Sequence, residues 1–196
     1  MVLKGGGNDD ILEATKDGEG FVVMDIRLYN ARCMFDNACA FVECADYCEN
    51  EQKKFAEDIT SFVTVGIINA NLACEFFVKS LLLFHGNTLE EIKGQKLKPL
   101  WQKYKSIDVD NAIKIEKSIQ QVFKSSNDNF FDEMLECVSG EIDYWCGFYS
   151  KGGPVASQYF LQVFRNLLRQ HCCQTLYDKT WLEWAVQRKK ISKFER

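Results

Sequence analysis

The sequence predicts an all-α fold, an up-and-down bundle of helices in a single domain. The stretch from Ser61 to Gly86 is apolar on nearly every side of a helical projection, and sixteen of the 24 residues from Ser61 to Phe84 are apolar. The chain has only 2 prolines and 12 glycines, and its long periodic segments carry almost none of them. Its 196 residues are enough for one sizeable core, and no repeat or low-complexity linker divides them.

Four polar side chains on this central helix, which is predicted over about residues 60–85, lie on one side of it. Thr64, Asn71, Glu75 and Lys79 fall within an arc of about 60–80° at about 100° per residue. Glu75 precedes Lys79 by one helical turn, which is the favourable order for an ion pair. A charged pair on a mostly buried helix needs partners or an opening. The stripe is therefore either a salt bridge at the rim of the core or the lining of a functional groove.

The segments before the central helix are predicted to be a tail and one long helix. Residues 1–22 are expected to form a flexible tail, because three consecutive glycines and a polar run offer little to pack. The domain then covers residues 23–190, and apolar residues at helical spacing predict a helix from about Asp25 to Glu49. The polar stretch from Asn50 to Asp58 is either a connection or a continuing solvated turn.

The segments after the central helix are predicted from helix caps and breakers. Gly86 is the expected left-handed stop of the central helix, and Thr88 and Glu91 have the spacing of a capping box. Gly94 ends that short turn, and Asp108 caps a later helix. Further helices are predicted over Leu100–Lys105, Val109–Lys124, Phe130–Cys137, Ser157–Leu176 and Lys179–Lys190, with loops at residues 125–129 and 151–154 and a basic tail at residues 191–196.

Composition limits the compartment and the partners. A net charge of -4 gives no overall basic field for nucleic acid, so local patches have to be judged separately. The nine cysteines are odd in number, no CxxC occurs and no signal-peptide pattern precedes them, which predicts free thiols in a reducing cytoplasm. A zinc site is the alternative to buried thiols, but the chain has only two histidines, so no metal and no cofactor is expected. The longest uninterrupted apolar run of the central helix, Leu81 to Phe84, is too short for a membrane span, so no membrane association is expected.

A basic stretch from Ile92 to Ile107 is a candidate RNA-binding segment. It contains no acidic residue, and its lysines are interleaved with aromatic rings. Lysines neutralise phosphates and aromatic rings stack on bases, so this combination suits RNA. The alternative is a solvated face whose tryptophan belongs to the core. The candidate RNA-binding residues are Lys96, Lys98, Trp101, Lys103 and Lys105.

Arg165 and His171 on the C-terminal amphipathic helix are candidate catalytic residues. An arginine can hold a scissile phosphate, and a nearby histidine can transfer protons in a metal-independent RNA cleavage. Six residues along a helix correspond to about 120° in projection. The two side chains can meet at one phosphate only if the helix ends between them or if a two-fold dimer joins two copies. The alternative is a core histidine and a surface arginine, because His171 projects onto the same face as Phe160, Phe164 and Leu168.

The run from Asn71 to Leu81, NLACEFFVKSL, and the later run from Gly94 to Leu100, GQKLKPL, resemble the HEPN-like helical proteins. Many of these carry an alanine-x-glutamate-x-x-x-lysine run on the second helix, followed by a glycine-histidine-x-leucine-x-x-leucine stretch. Gln95 stands where that histidine would be. The similarity covers roughly residues 28–176, and it implies an up-and-down bundle that often dimerises.

The resemblance also implies a function. Many HEPN-like proteins act in bacterial defence, abortive infection or toxin–antitoxin pairs, and the active ones are metal-independent ribonucleases with an arginine, four to six residues, then a histidine. Arg165 and His171, with five residues between them, match that pattern, and Glu75 would be the supporting acid near the cleft. The implied partners are a second copy, RNA or a nucleotide, and a protein of antitoxin or nucleotidyltransferase type.

A second alignment leads to a different function. The run from Tyr144 to Ser150, YWCGFYS, resembles a tryptophan-arginine-tyrosine-x-tyrosine-glutamate element of some uncharacterised relatives, with Cys146 and Ser150 in place of the arginine and the acid. In that register the spacing of Arg165 and His171 is a coincidence. Two hypotheses follow: a metal-independent endoribonuclease, or a non-catalytic interaction module that binds a protein or a nucleotide.

Overall fold

The computed structural model describes residues 11–15, 21–52, 59–139 and 155–194, and the prediction of an all-α fold is confirmed. Helices dominate this part of the chain, preceded by two short strands. The elements are β1 (Ile11–Thr15), β2 (Phe21–Asp25), α1 (Ile26–Gln52), α2 (Ile59–Phe84), α3 (Leu89–Ile92), α4 (Leu97–Ile107), α5 (Val109–Phe123), α6 (Phe130–Val138), α7 (Val155–Tyr177) and α8 (Trp181–Phe194).

The N-terminal segment contains a strand pair where a tail was predicted over residues 1–22. β1 and β2 are antiparallel, with Ile11 opposite Asp25 and Thr15 opposite Phe21. The strand sequences, ILEAT and FVVMD, are rich in β-branched and apolar residues, which favour extended backbone. The tail was predicted because the segment is rich in glycine and polar residues, and these residues outweighed the two short apolar stretches. Asp25 then caps α1, because its Oδ1 accepts the backbone N–H of Arg27 at 2.9 Å.

α1 and α2 form an antiparallel pair along most of their length. Gly66 of α2 lies against Cys48 of α1, where an added Cβ would be 3.2 Å from the cysteine Cβ. At the other end of the pair, Ser80 Oγ donates to the carbonyl of Ala31 at 2.7 Å. The buried residues of α1 recur at alternating intervals of four and three, which places them on one face of the helix. They include Ala31, Phe35, Ala38, Val42 and Ala45.

α2 contacts α1, α3, α4 and α7. Two thiols donate hydrogen bonds between α2 and α7. Cys74 Sγ donates to the carbonyl of Leu161 at 3.9 Å, and Cys172 Sγ donates to the carbonyl of Phe77 at 3.6 Å. The helix is not buried on every side, because Val65 near its start is 48% exposed. The central helix, which the sequence predicts to be mostly buried, is thus open to solvent at Val65.

Several predicted helix ends are present in the structure. Glu91 N donates to Thr88 Oγ1 at 3.3 Å and Thr88 N donates to Glu91 Oε2 at 2.8 Å, which is the predicted capping box. Asp108 Oδ1 accepts the backbone N–H of Asn111 at 3.3 Å and caps α5. Gly86 has a φ of +92°, as expected for a left-handed helix stop.

Other predicted boundaries differ from the structure. α8 continues to Phe194, beyond the predicted end at Lys190, so most of the expected tail at residues 191–196 has helical backbone. α4 begins at Leu97 and contains Pro99 in its first turn, where a missing N–H is tolerated. The loop predicted at residues 151–154 and the alternative motif at residues 144–150 lie outside the described residues.

One described helix, Phe62–Phe84, is long and apolar enough to cross a membrane by length and composition, with a mean hydropathy of 1.5. Of its most apolar window, 56% is buried inside the structure, so other helices cover much of that surface. The core helix of a folded domain meets the same criterion.

Candidate functional site

Arg165 lies inside the protein and is paired with two carboxylates of α1. Its side chain is 1% exposed, and Nη2 lies 2.5 Å from Asp46 Oδ1 and 3.0 Å from Glu49 Oε1. Its Nε and Nη1 atoms have no hydrogen-bond partner among the described residues. In this conformation the guanidinium neutralises protein carboxylates and is closed to a phosphate from solvent.

Further polar contacts extend this pairing into a seam between α1 and α7. Gln162 Nε2 donates to Glu49 Oε2 at 3.2 Å. One turn earlier on α7, Gln158 Nε2 donates to Gln52 Oε1 at 3.1 Å. The α1/α7 seam thus consists of Asp46, Glu49, Gln52, Gln158, Gln162 and Arg165. Its hydrogen bonds join the two helices, which is a structural role for Arg165.

His171 lies on another side of α7, in a second polar cluster. Its Nε2 is 2.6 Å from the hydroxyl of Tyr104 on α4, and that hydroxyl lies 3.0 Å from Asp108 Oδ2. Because Tyr104 has one proton and gives it to the carboxylate, we assign Nε2 of His171 as a donor, which leaves Nδ1 as the acceptor. Burial lowers the pKa of His171 below its usual 6.5, and the charge of Asp108 partly opposes that effect.

A cavity of about 350 Å³ lies beside His171, between α7 and the start of α8. It is lined by Leu167, Gln170, His171, Gln174, Thr180 and Trp181. His171 is half-buried, so the imidazole borders this cavity and is not sealed in the core. A histidine at the edge of a cavity, with one nitrogen held by a hydrogen bond, can act as an acid or a base.

The sequence analysis did not single out His85, which belongs to the same cluster. Its Nε2 lies 3.8 Å from Asp108 Oδ2, and its ring centroid is 6.0 Å from that of Tyr104. Both histidines of the chain therefore approach Asp108 and Tyr104. Two features of the sequence could have indicated this cluster: Asp108 is predicted to be a helix cap, and His85 lies at the predicted end of a helix.

Arg165 and His171 are not brought together within one chain. α7 is continuous from Val155 to Tyr177, so no helix end lies between them and their separation of about 120° in projection holds. Arg165 contacts α1, whereas His171 contacts α4. A dimer could combine them at one phosphate only if Arg165 left its two carboxylates.

Glu75 and the polar stripe of α2 support the start of α4. Asn71 Nδ2 donates to Glu75 Oε1 at 3.4 Å, and Lys79 Nζ lies 3.9 Å from Glu75 Oε2. Glu75 also accepts the backbone N–H of Leu97, the first residue of α4. Burial raises the pKa of Glu75, and the charge of Lys79 opposes that shift. These contacts match the predicted salt bridge at the rim of the core.

The candidate RNA-binding residues are mostly engaged in other contacts. Trp101 is fully buried, its Nε1 donates to Glu116 Oε1 at 2.9 Å, and its ring packs edge-on against Phe164. Lys105 pairs with the same Glu116 at 2.7 Å, and Lys98 pairs with Glu136. Base stacking by Trp101 is therefore excluded in this conformation.

Lys96 and Lys103 remain more open to solvent. Lys96 occupies the cap position before α4 and is exposed, and Lys103 is half-exposed on α4. Two partly accessible lysines on one short helix give a much smaller phosphate-binding surface than the five-residue set that the sequence predicted.

The described cysteines are all free, and the described residues include no cluster of three or more metal-ligating side chains. Cys74 and Cys172 are fully buried, and burial raises the pKa of each thiol. Such thiols behave as small apolar side chains.

An open apolar groove lies between α1 and the first half of α2. Its volume is about 670 Å³, and its lining is almost entirely apolar. It is lined by Ala40, Glu43, Cys44, Tyr47, Cys48, Phe62, Val65 and Asn69. Tyr47 and Val65 are 62% and 48% exposed, so this surface has no cover within the described structure. An exposed apolar patch of this kind is typical of an interaction surface.

Comparison with family models, with curated proteins and with solved structures finds no match for the chain. The resemblance to HEPN-like proteins therefore stays a prediction based on the residues between Asn71 and Leu100 and on the spacing of Arg165 and His171.

Proposed function

We propose that the protein is a non-catalytic, HEPN-like helical module that acts by binding a partner protein. The observation that carries this proposal is the burial of Arg165 between Asp46 and Glu49. An RNA-cleaving site built on Arg165 and His171 needs that guanidinium at the phosphate, and the two side chains contact different helices.

Releasing Arg165 for catalysis is energetically unfavourable. Glu49 is a buried carboxylate whose side chain is 10% exposed, and it would lose its contact with the Arg165 guanidinium. Removing one partner of a buried ion pair costs about 3–5 kcal/mol. The binding of a phosphate to Arg165 would have to offset this cost before it became favourable. The cost therefore favours a structural role for the arginine.

An RNA cleavage assay in EDTA tests the proposal. Wild type, His171→Ala and the surface control Gln121→Ala would be purified in parallel and incubated with single-stranded and structured RNA. Gln121 is exposed on α5 and does not line the cavity beside His171. We expect the same residual degradation for all three proteins. Cleavage that persists in EDTA and in Gln121→Ala but is abolished by His171→Ala would overturn the non-catalytic proposal.

A ribonuclease centred on His171 is the second candidate function. The position of His171 favours it, because the imidazole borders a cavity of about 350 Å³ while Tyr104 holds Nε2. In that case His171 would be the acid or base, and a cation other than the buried Arg165 would have to bind the phosphate. The same assay decides between the two candidates.

A further inference from the structure

We propose that the groove between α1 and α2 binds an amphipathic helix of a partner protein, and that this helix has a lysine or an arginine beside its apolar face. The inference rests on the proposed binding function and deepens it by assigning the surface and the chemistry of the partner segment. It is based on the apolar lining of the groove, the negative charge of its walls and the helical backbone on both sides.

The groove has a closely packed floor and walls that are open to solvent. Cys48 at the floor is buried, and it lies so close to Gly66 that an added Cβ on the glycine would be 3.2 Å from the cysteine Cβ. Tyr47 of α1 and Val65 of α2 line the groove and are exposed. Apolar surface that stays exposed between two packed helices gains free energy when a partner covers it.

The walls of the groove bring acidic residues and no basic ones. Residues 33–52 of α1 and 59–78 of α2 together contain six acidic residues and no lysine or arginine. Asp46 and Glu49 contact an arginine of α7, whereas Glu43 lines the groove, is exposed and forms no ion pair with any described residue. A partner that covered this surface would bury the Glu43 carboxylate, which is unfavourable unless a cation accompanies it.

Asn69 adds a hydrogen-bond acceptor on the opposite wall. Its Nδ2 donates to the carbonyl of Val65 at 2.8 Å, which leaves Oδ1 to accept a hydrogen bond. Lysine and arginine side chains have donors and no acceptor, so they complement both Asn69 and Glu43. Phosphate groups of RNA or of an anionic membrane have the opposite character, and acidic walls repel them. The charge of the groove therefore favours a basic protein segment.

The partner segment should be helical, because both walls of the groove are helices. Neither wall has a strand edge with which an extended peptide could pair. An extended peptide would bury unpaired backbone groups against an apolar surface, whereas a helix satisfies its own. The lining extends about 12 Å from Ala40 to Cys48 on α1 and about 10 Å from Phe62 to Asn69 on α2, which is about two turns of a helix.

Selection from a displayed peptide library tests the surface. The probe is a library of helical peptides of about 16 residues, a length at which an isolated helix begins to be stable. One face has apolar residues at helical spacing, and the positions beside that face allow every amino acid. Peptides selected on wild type are then tested on Val65→Glu, which blocks the groove. Val122→Glu on α5 is the matched control, because Val122 is 47% exposed and lies outside the groove.

A charge reversal tests the chemistry of the partner segment. Glu43→Lys reverses the charge in the groove, and Asp128→Lys makes the same change of net charge on the exposed loop between α5 and α6. Selection on Glu43→Lys should replace the basic residue of the peptides by an acidic one, whereas selection on Asp128→Lys should keep it. Glu43→Gln, which keeps the shape of the side chain, should remove the preference. Circular dichroism and thermal unfolding confirm that each variant is folded.

We expect the selected peptides to contain a basic residue and to bind wild type and Val122→Glu alike, and we expect Val65→Glu to weaken their binding at least about tenfold in fluorescence anisotropy. The proposal is overturned if no selected peptide depends on Val65. It is equally overturned if the groove-dependent peptides show no preference for a basic residue, or if Glu43→Lys leaves that preference unchanged.

Light scattering coupled to size exclusion tests for a different occupant. A wild-type oligomer that Val65→Glu dissociates would assign the groove to a second copy of the chain and would overturn the proposal. RNA cleavage by wild type is measured separately, so failure of this surface is distinguishable from failure of the non-catalytic function.

Discussion

Arg165 on α7 and Asp46 on α1 form an ion pair in which one partner is buried and the other lies at the surface. The distance from Nη2 to Oδ1 is 2.5 Å, and the side chains are 1% and 51% exposed. Glu49 lies next to the same guanidinium on the buried side. The arginine therefore joins two helices that are far apart in sequence, and its contribution should be visible in the free energy of unfolding.

We expect Arg165→Ala to lower the free energy of unfolding by about 3–5 kcal/mol, because it breaks an ion pair in which the guanidinium and Glu49 are both buried. Asp46→Asn is the control, and it should cost about 1 kcal/mol or less because solvent already screens that carboxylate. Urea unfolding followed by circular dichroism measures both. Equal losses in the two variants would show that burial does not determine the strength of this pairing.

Glu75 gives a second prediction, about local stability at the start of α4. Glu75→Ala removes the acceptor of the Leu97 N–H and the partner of Lys79, so we expect a loss of about 1–3 kcal/mol. Amide hydrogen exchange at Leu97 should accelerate more than exchange elsewhere in α4. The control is Glu90→Ala on α3, an exposed carboxylate whose removal should leave Leu97 unchanged. Unchanged exchange in Glu75→Ala would contradict the capping role.

Thiol reactivity gives a third prediction. Cys44 is exposed in the groove, whereas Cys74 and Cys172 are fully buried and have raised pKa values. Brief alkylation of the native protein, followed by peptide mass spectrometry, should label Cys44 and leave the other two unmodified until urea is added. Early labelling of Cys74 would show that α2 and α7 separate in the native state.

Local signals in the sequence predicted much of the fold. The Thr88 and Glu91 capping box, the Asp108 cap and the stop at Gly86 all depend on residues a few positions apart, and the structure contains them. The strand pair was missed, because two five-residue strands are short beside the surrounding glycine-rich and polar residues.

The candidate site was harder to predict, because its decisive contacts are tertiary. The projection placed Arg165 and His171 about 120° apart, but it could not show that carboxylates of α1 surround the arginine. For Trp101 the sequence left two alternatives open, and packing against Phe164 selects the core. The approach of His85 to Asp108 joins the end of one helix to the cap of another, which no spacing rule predicts.

His171 gives the last prediction, which concerns the pH dependence of stability. Burial keeps the pKa of His171 below 6.5 in the folded protein. Between this lowered pKa and 6.5, the unfolded chain therefore binds more protons than the folded chain. The free energy of unfolding should therefore fall as pH decreases below about 6.5. Above that pH, where the imidazole is neutral in both states, His171 should cause no loss of stability. Carboxylates with lowered pKa values, such as Asp108, act in a separate, more acidic range.

The measurement compares wild type with His171→Gln between pH 5 and 8. We expect the variant to lose most of the decrease near pH 6, because glutamine has no proton to bind in either state, and to be less stable above pH 7 through its altered bond to Tyr104. Imidazole resonances in NMR spectra should show His171 titrating below 6.5. If His171 titrates above 6.5, the charge of Asp108 outweighs burial, and the sign of this prediction is wrong.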